Sequence, residues 1–151
     1  GKKIIEQLSI QGRVIVSSEG DLDPEIEAMS FDILPADMHD VLRGAQIFVS
    51  DSQSMTIEAA ILGTPAVRIN TFVGRIPVIE ELEFSYGLCF GFLPSQEERI
   101  SEKIKKIFEN KNEKGNWREK VERYLSEQVD LSEWIINFID DRYKSDFLPE
   151  S

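Results

Sequence analysis

Ser50-Asp51-Ser52-Gln53-Ser54 sets hydroxyl, carboxylate and amide side chains where an apolar stretch, Gln46 to Ser50, gives way to a helix-like stretch, Ser52 to Leu62. A strand-to-helix junction leaves the first backbone N–H groups of the helix without partners, at the positive end of its dipole. Such a junction binds anions, and phosphate in particular. Glu58 lies four residues past Ser54, one turn along the same helix face. Its carboxylate can accept hydrogen bonds from vicinal hydroxyls, as acidic residues do from ribose in other nucleotide folds. Phosphate at Ser52, Gln53 and Ser54 with ribose at Glu58 is the geometry of a nucleoside diphosphate. The same residues also allow a plainer reading. Asp51 or Ser52 can be a helix cap only, and Glu58 a solvated helix residue.

Four further residues could join this chemistry. Glu19-Gly20 follows the apolar segment Arg13 to Ser17 and could line the same edge, or simply turn the chain. His39 is the one histidine, flanked by Asp37 and Asp40, and could contact a base or simply face solvent. Arg75, in the loop Thr71 to Arg75, could pair with a diphosphate, or with the acidic run Glu80, Glu81 and Glu83. Cys89 lies in an apolar segment and reads as an inert core thiol. Trp117 and Trp134 sit on apolar helical faces, which favours core packing over sugar stacking.

These residues need a scaffold that brings them to one edge. Short apolar runs at Arg13 to Ser17, Phe31 to Leu34, Gln46 to Ser50, Ala66 to Asn70 and Leu88 to Phe92 predict strands. Lys2 to Ile10, Pro24 to Met29, Asp37 to Gly44, Ser52 to Leu62 and Pro77 to Phe84 predict the helices between them, with Gly63 and Pro65 stopping the fourth. Strands alternating with helices mean a mostly parallel sheet of four to five strands, which binds ligands at the carboxyl ends of its strands. After Pro94 the pattern is helical only. Ile100, Ile104, Ile107 and Phe108 share one face, and so do Trp117, Val121, Tyr124 and Leu125. Leu131, Trp134, Ile135, Phe138 and Ile139 repeat the spacing. The expected organisation is an α/β core over residues 1–96, C-terminal helices packed on it over 97–144, and a frayed tail over 145–151.

Composition narrows the function classes. The chain has 151 residues and a formal net charge of −11. Eight acidic residues and no Lys or Arg lie between Glu19 and Asp40. That sign of charge disfavours nucleic acid binding through a basic surface. One Cys and one His give neither a disulfide nor a structural zinc site. No signal-like segment opens the sequence and no apolar run nears the ~20 residues of a membrane span, so a soluble, cytoplasmic setting is expected. G-x-G-x-x-G, G-x-x-x-x-G-K-[ST] and G-x-S-x-G are all missing, which argues against dinucleotide oxidoreductases, P-loop NTPases and α/β-hydrolases.

The whole segment from Ile47 to Val67 resembles the nucleotide-sugar site of the GT-B superfamily, which includes the UDP-GlcNAc 2-epimerases. Asp51-Ser52 matches an Asp-Ser-Gly-Gly turn, Gln53-Ser54 departs from its paired glycines, Glu58 falls on the ribose-binding position, and Gly63-Thr-Pro65 matches the helix end. Gly12 to Gly20, Met38 to Leu42, Met55 to Pro65 and Tyr86 to Phe90 are similar to an uncharacterised archaeal and bacterial glycosyltransferase-like family, over about residues 1–108. The resemblance implies a Rossmann-like three-layer sandwich forming one half of a GT-B fold. It implies a UDP-type nucleotide-sugar as substrate rather than a cofactor. It places His39 near the base and implies that the first strand and the N-terminal domain of the parent protein lie outside this chain. The fragment alone is then expected to be inactive. Two other classes compete. A receiver-like signalling module would be phosphorylated on Asp51, with Glu19 or Asp21 holding Mg²⁺, although no Lys occurs between Lys3 and Lys103 to serve it. A non-catalytic association domain would bind no nucleotide.

Overall fold

Three parallel strands carry the fold, each paired with its neighbour in sequence. They are β1 (Phe48–Ser50), β2 (Ala66–Ile69) and β3 (Cys89–Phe92), in the order β1-β2-β3. This computed structural model describes residues 2–18, 20–110 and 113–147. Before the sheet come α1 (Lys2–Gln11), α2 (Pro24–Glu27), a 3₁₀ turn over Pro35–Asp37 and α3 (Met38–Gly44). The crossovers are α4 (Gln53–Ile61) and α5 (Pro77–Phe84), and α6 (Glu97–Glu109), α7 (Glu113–Glu127) and α8 (Leu131–Phe147) follow. No helix among the described residues is long and apolar enough to cross a membrane.

The pleat of β2 separates two cores. Val67 packs with Phe92 and with Ile100, Ile104 and Ile107 of α6, joined by Ile4 and Leu8 of α1. Ala66 faces the other way, into a cluster with Leu42, Ala59, Ala60, Ile79, Leu82, Leu88, Trp117 and Val121. Helices therefore cover both faces of the sheet. The strands read as near-continuous apolar runs, as buried parallel strands do. Ala59 and Ala60 bring α4 close to the strands, and the helix ends in a Schellman motif. Gly63 has φ of 86°, its N–H bonds the Ala60 carbonyl at 3.1 Å, and the Thr64 N–H bonds the Ala59 carbonyl at 2.9 Å.

The sheet is smaller than the four to five strands expected. Arg13 to Ser17 and Phe31 to Leu34 do not form strands. Among the described residues they keep one isolated parallel bridge, Val16 to Ser30, through Val16 N–H to Met29 O at 3.0 Å and Phe31 N–H to Val16 O at 3.3 Å. The physical reason is cover. Ile15, Phe31 and Leu34 stay exposed, so extending these segments would bury no apolar face. The C-terminal helices also differ from expectation. Trp117 is fully buried in the core, but Trp134 is 52% exposed, because α8 lays no face on the sheet. The helix also runs through the tail boundary at 144/145 to Phe147, and residues 148–151 lie outside the described residues.

Candidate functional site

The junction after β1 has the geometry its residues call for. Ser52 caps α4 with extended backbone, φ −72° and ψ 130°, and its Oγ accepts the Met55 N–H at 3.4 Å. The Ser52 N–H is turned back onto Ser50 Oγ at 2.9 Å. The buried Thr56 donates its hydroxyl to Ser52 O at 2.6 Å and fixes the first turn. Met55 and Thr56 are thus satisfied, whereas the N–H groups of Gln53 and Ser54 have no protein acceptor among the described residues. Two unpaired amides at the positive end of a nine-residue helix, at the carboxyl end of a strand, form an anion-binding arrangement.

The structure brings Glu58 and His39 together. His39 Nε2 lies 3.3 Å from Glu58 Oε2, with side-chain exposures of 65% and 43%. Packing below them sets this contact. Leu42, one turn past His39, is buried, and its carbonyl accepts Thr64 Oγ1 at 2.6 Å just beyond the end of α4. That bond anchors α3 against α4. A carboxylate can accept at both oxygens, so Glu58 keeps acceptor capacity beside the imidazole.

Other expected residues are placed differently. Arg75 is exposed, and among the described residues it makes no ion pair with Glu80, Glu81 or Glu83. Glu80 is occupied elsewhere, 3.4 Å from Arg68 Nη2 and accepting the Gly74 N–H at 2.9 Å. Among the described residues Gly20 bonds Ser18 Oγ, its N–H donating at 3.2 Å and its carbonyl accepting at 3.3 Å. Glu19 lies outside the described residues.

Asn70 is a residue the sequence reading passed over. Its Nδ2 donates to Asp51 O at 2.9 Å, and its Oδ1 accepts the Phe72 N–H at 2.9 Å. It ties the turn after β1 to the loop after β2, the loop that carries Arg75. Its position as the last residue of the expected strand Ala66 to Asn70, just past the observed end of β2 at Ile69, was the available signal.

No family model, curated protein or solved structure matches the chain. The site is therefore read from its own chemistry.

A buried charge cluster flanks the sheet. Arg68 of β2 is 0% exposed, with Nε and Nη1 unpartnered among the described residues. Glu83 of α5 accepts the Gly91 N–H at 2.9 Å through Oε1. Gly91 is needed there, since a Cβ would lie 2.9 Å from Glu83 Oε2 and 3.1 Å from Arg68 Nη2. Burial pushes the Glu83 carboxyl above its ordinary value of 4.5, partly offset by the Gly91 bond. The native state then holds this proton to higher pH than the unfolded chain does. Its effect on stability is absent below the ordinary carboxylate range and becomes unfavourable as pH rises from 4.5 through the raised value. Glu83→Gln keeps an acceptor for Gly91 and removes the titration. Urea unfolding should give the variant the wild-type stability at acid pH and a higher stability at neutral pH.

A cavity of about 310 Å³ lies away from the β1 turn, between Gly91 of β3 and Arg99, Lys103 and Lys106 of α6. Lys103 Nζ sits 3.8 Å from the Phe90 ring centroid and the Arg99 guanidinium 5.8 Å from that of Phe92, so both cations rest on the strand's phenyl rings. Cys89 is fully buried, and burial, followed by the charge of Glu83, pushes its thiol up to about 12. A disulfide reagent at neutral pH should leave Cys89 unmodified in the folded chain and react fully in denaturant.

Proposed function

We propose that the chain is a Rossmann-like domain that binds a nucleoside diphosphate sugar, of the kind that forms the donor half of a GT-B glycosyltransferase or sugar-nucleotide epimerase. One observation carries the reading. The two unpaired amides of Gln53 and Ser54 stand at the start of α4, where β1 ends, and Glu58 stands one turn further on.

In this reading the pyrophosphate lies on the amides of Gln53 and Ser54 and the hydroxyls of Ser52 and Ser54. The ribose hydroxyls donate to Glu58, with His39 at the same edge beside the base. Helix N–H groups, with Arg75 from the adjoining loop, supply the positive charge that stabilises a leaving nucleoside diphosphate. Ser54 and Gln53 in place of paired glycines give less room for backbone approach but add side-chain donors. The groups that activate an acceptor belong to a second domain, so binding without turnover is expected.

Titration with UDP, followed on backbone amides, tests this. The amides of Ser52 to Ser54 should shift, with a Kd of roughly 0.1–1 mM. Glu58→Ala should weaken binding several-fold. Unmoved amides at saturating UDP, or an unchanged affinity in Glu58→Ala, would remove the assignment. Acetyl phosphate labelling of Asp51 would favour a phosphorylated signalling module instead.

A further inference from the structure

Every side chain described on α8, from Leu131 to Tyr143, is exposed. Six of them are large and apolar: Leu131 at 64%, Trp134 at 52%, Ile135 at 41%, Ile136 at 66%, Phe138 at 48% and Ile139 at 60%. All but Ile136 fall on one stripe at i, i+3, i+4, i+7 and i+8, and Ile136 widens it. A helix of this length is marginal in water without a packed face, and an apolar patch of several hundred Å² marks an interaction surface.

We propose that this face is a homodimer interface, in which α8 packs antiparallel against α8 of a second copy of this chain. The area suits that occupant. Six large side chains at about half exposure offer on the order of 500–700 Å² per copy, close to the ~800 Å² per partner of a standard interface. Leu125 and Val129, 51% and 71% exposed, extend the patch towards α7. The stripe is also self-complementary. Leu131, Ile135 and Phe138 follow the four-three spacing of a coiled-coil seam, so the same row supplies knobs and holes on both copies. The helix dipoles select the direction. Asp130 and Glu133 lie at the start of the helix, and Asp140, Asp141 and Arg142 near its end, so the side-chain charges favour neither direction. Antiparallel pairing opposes the dipoles, whereas parallel pairing aligns them. Each copy carries −11, so association tightens as salt rises.

Sedimentation equilibrium of the full chain, from low to high micromolar, should show a monomer–dimer equilibrium. The double variant Ile135→Asp with Phe138→Asp should be monomeric throughout, with its α/β core still folded and a melting temperature no longer dependent on protein concentration, whereas that of the wild-type chain rises with concentration. Cys89 is buried, so a single introduced cysteine takes a spin label selectively. Labels on Glu133→Cys, Asn137→Cys and Asp141→Cys, measured one variant at a time, should give unequal inter-label distances, changing by about 3 Å per residue along the helix. A chain that stays monomeric at high micromolar concentration overturns the proposal, and means that another protein covers the face. So does a dimer that survives the double variant, or three equal label distances.

Discussion

Trp117→Ala should cost the fold about 3–5 kcal/mol, the range for deleting a buried aromatic side chain. Trp117 is 0% exposed and is the largest fully buried side chain. It holds α7 against the sheet. Its ring meets Phe90 edge-on at 5.8 Å between centroids, and Lys120 Nζ sits 4.2 Å over its face. Beside it, Tyr124 meets Tyr86 edge-on at 5.0 Å. A domain of ordinary stability has only ~5–15 kcal/mol in total, so the variant should be largely unfolded a few degrees above ambient temperature. Trp117→Phe separates the two contributions of the ring. It keeps most of the apolar volume and removes Nε1, which has no hydrogen-bond partner among the described residues. Its loss should be about 1–2 kcal/mol smaller than that of the alanine variant. Urea unfolding followed by circular dichroism measures both.

Arg68→Ala should be nearly as damaging, at about 3–5 kcal/mol at neutral pH. The guanidinium is fully buried and lies 3.4 Å from Glu80. Without it Glu80 and the buried oxygen of Glu83 lose their nearest cation, and the space left by its stem must collapse. The loss should shrink at acid pH, where the carboxyls are neutral. A compensated variant gives the complementary result. Arg68→Met with Glu83→Gln retains volume, retains an acceptor for Gly91 and removes a charge of each sign. It should recover most of the stability, because buried ion pairs are often replaceable by matched neutral groups. A double variant as unstable as Arg68→Ala would show that the cation itself is required.

The central βαβαβ unit was legible because each of its signals is local. Val67 and Phe48 lie in short apolar runs, Ser52 has the side chain of a cap, and Gly63 with Pro65 stops a helix. What the sequence does not encode locally is cover. Arg13 to Ser17 has the composition of a strand, yet strand formation depends on a neighbour and a layer over its apolar side chains. The same holds for Trp134, whose helical spacing specifies a face but not a partner. Within the candidate site, the turn and Glu58 were visible as residue types at a spacing. The meeting of His39 with Glu58 was not, since it depends on Thr64 anchoring Leu42. Arg68 was hidden for a related reason. Two residues past Ala66 on the strand, it shares that residue's face and is directed inward against α5.

The order β1-β2-β3 bears on how the chain folds as well as on what it binds. Each strand finds its partner across a single helix, so no distant segment must return before the sheet can close. Loop closures of this length are fast, and such local topology lowers the contact order that slows sheet formation. The segment from Phe48 to Phe92 can thus serve as the nucleus on which α1, α6 and α7 later dock. The candidate turn lies inside that segment, so its amides are oriented by contacts that are local in the chain.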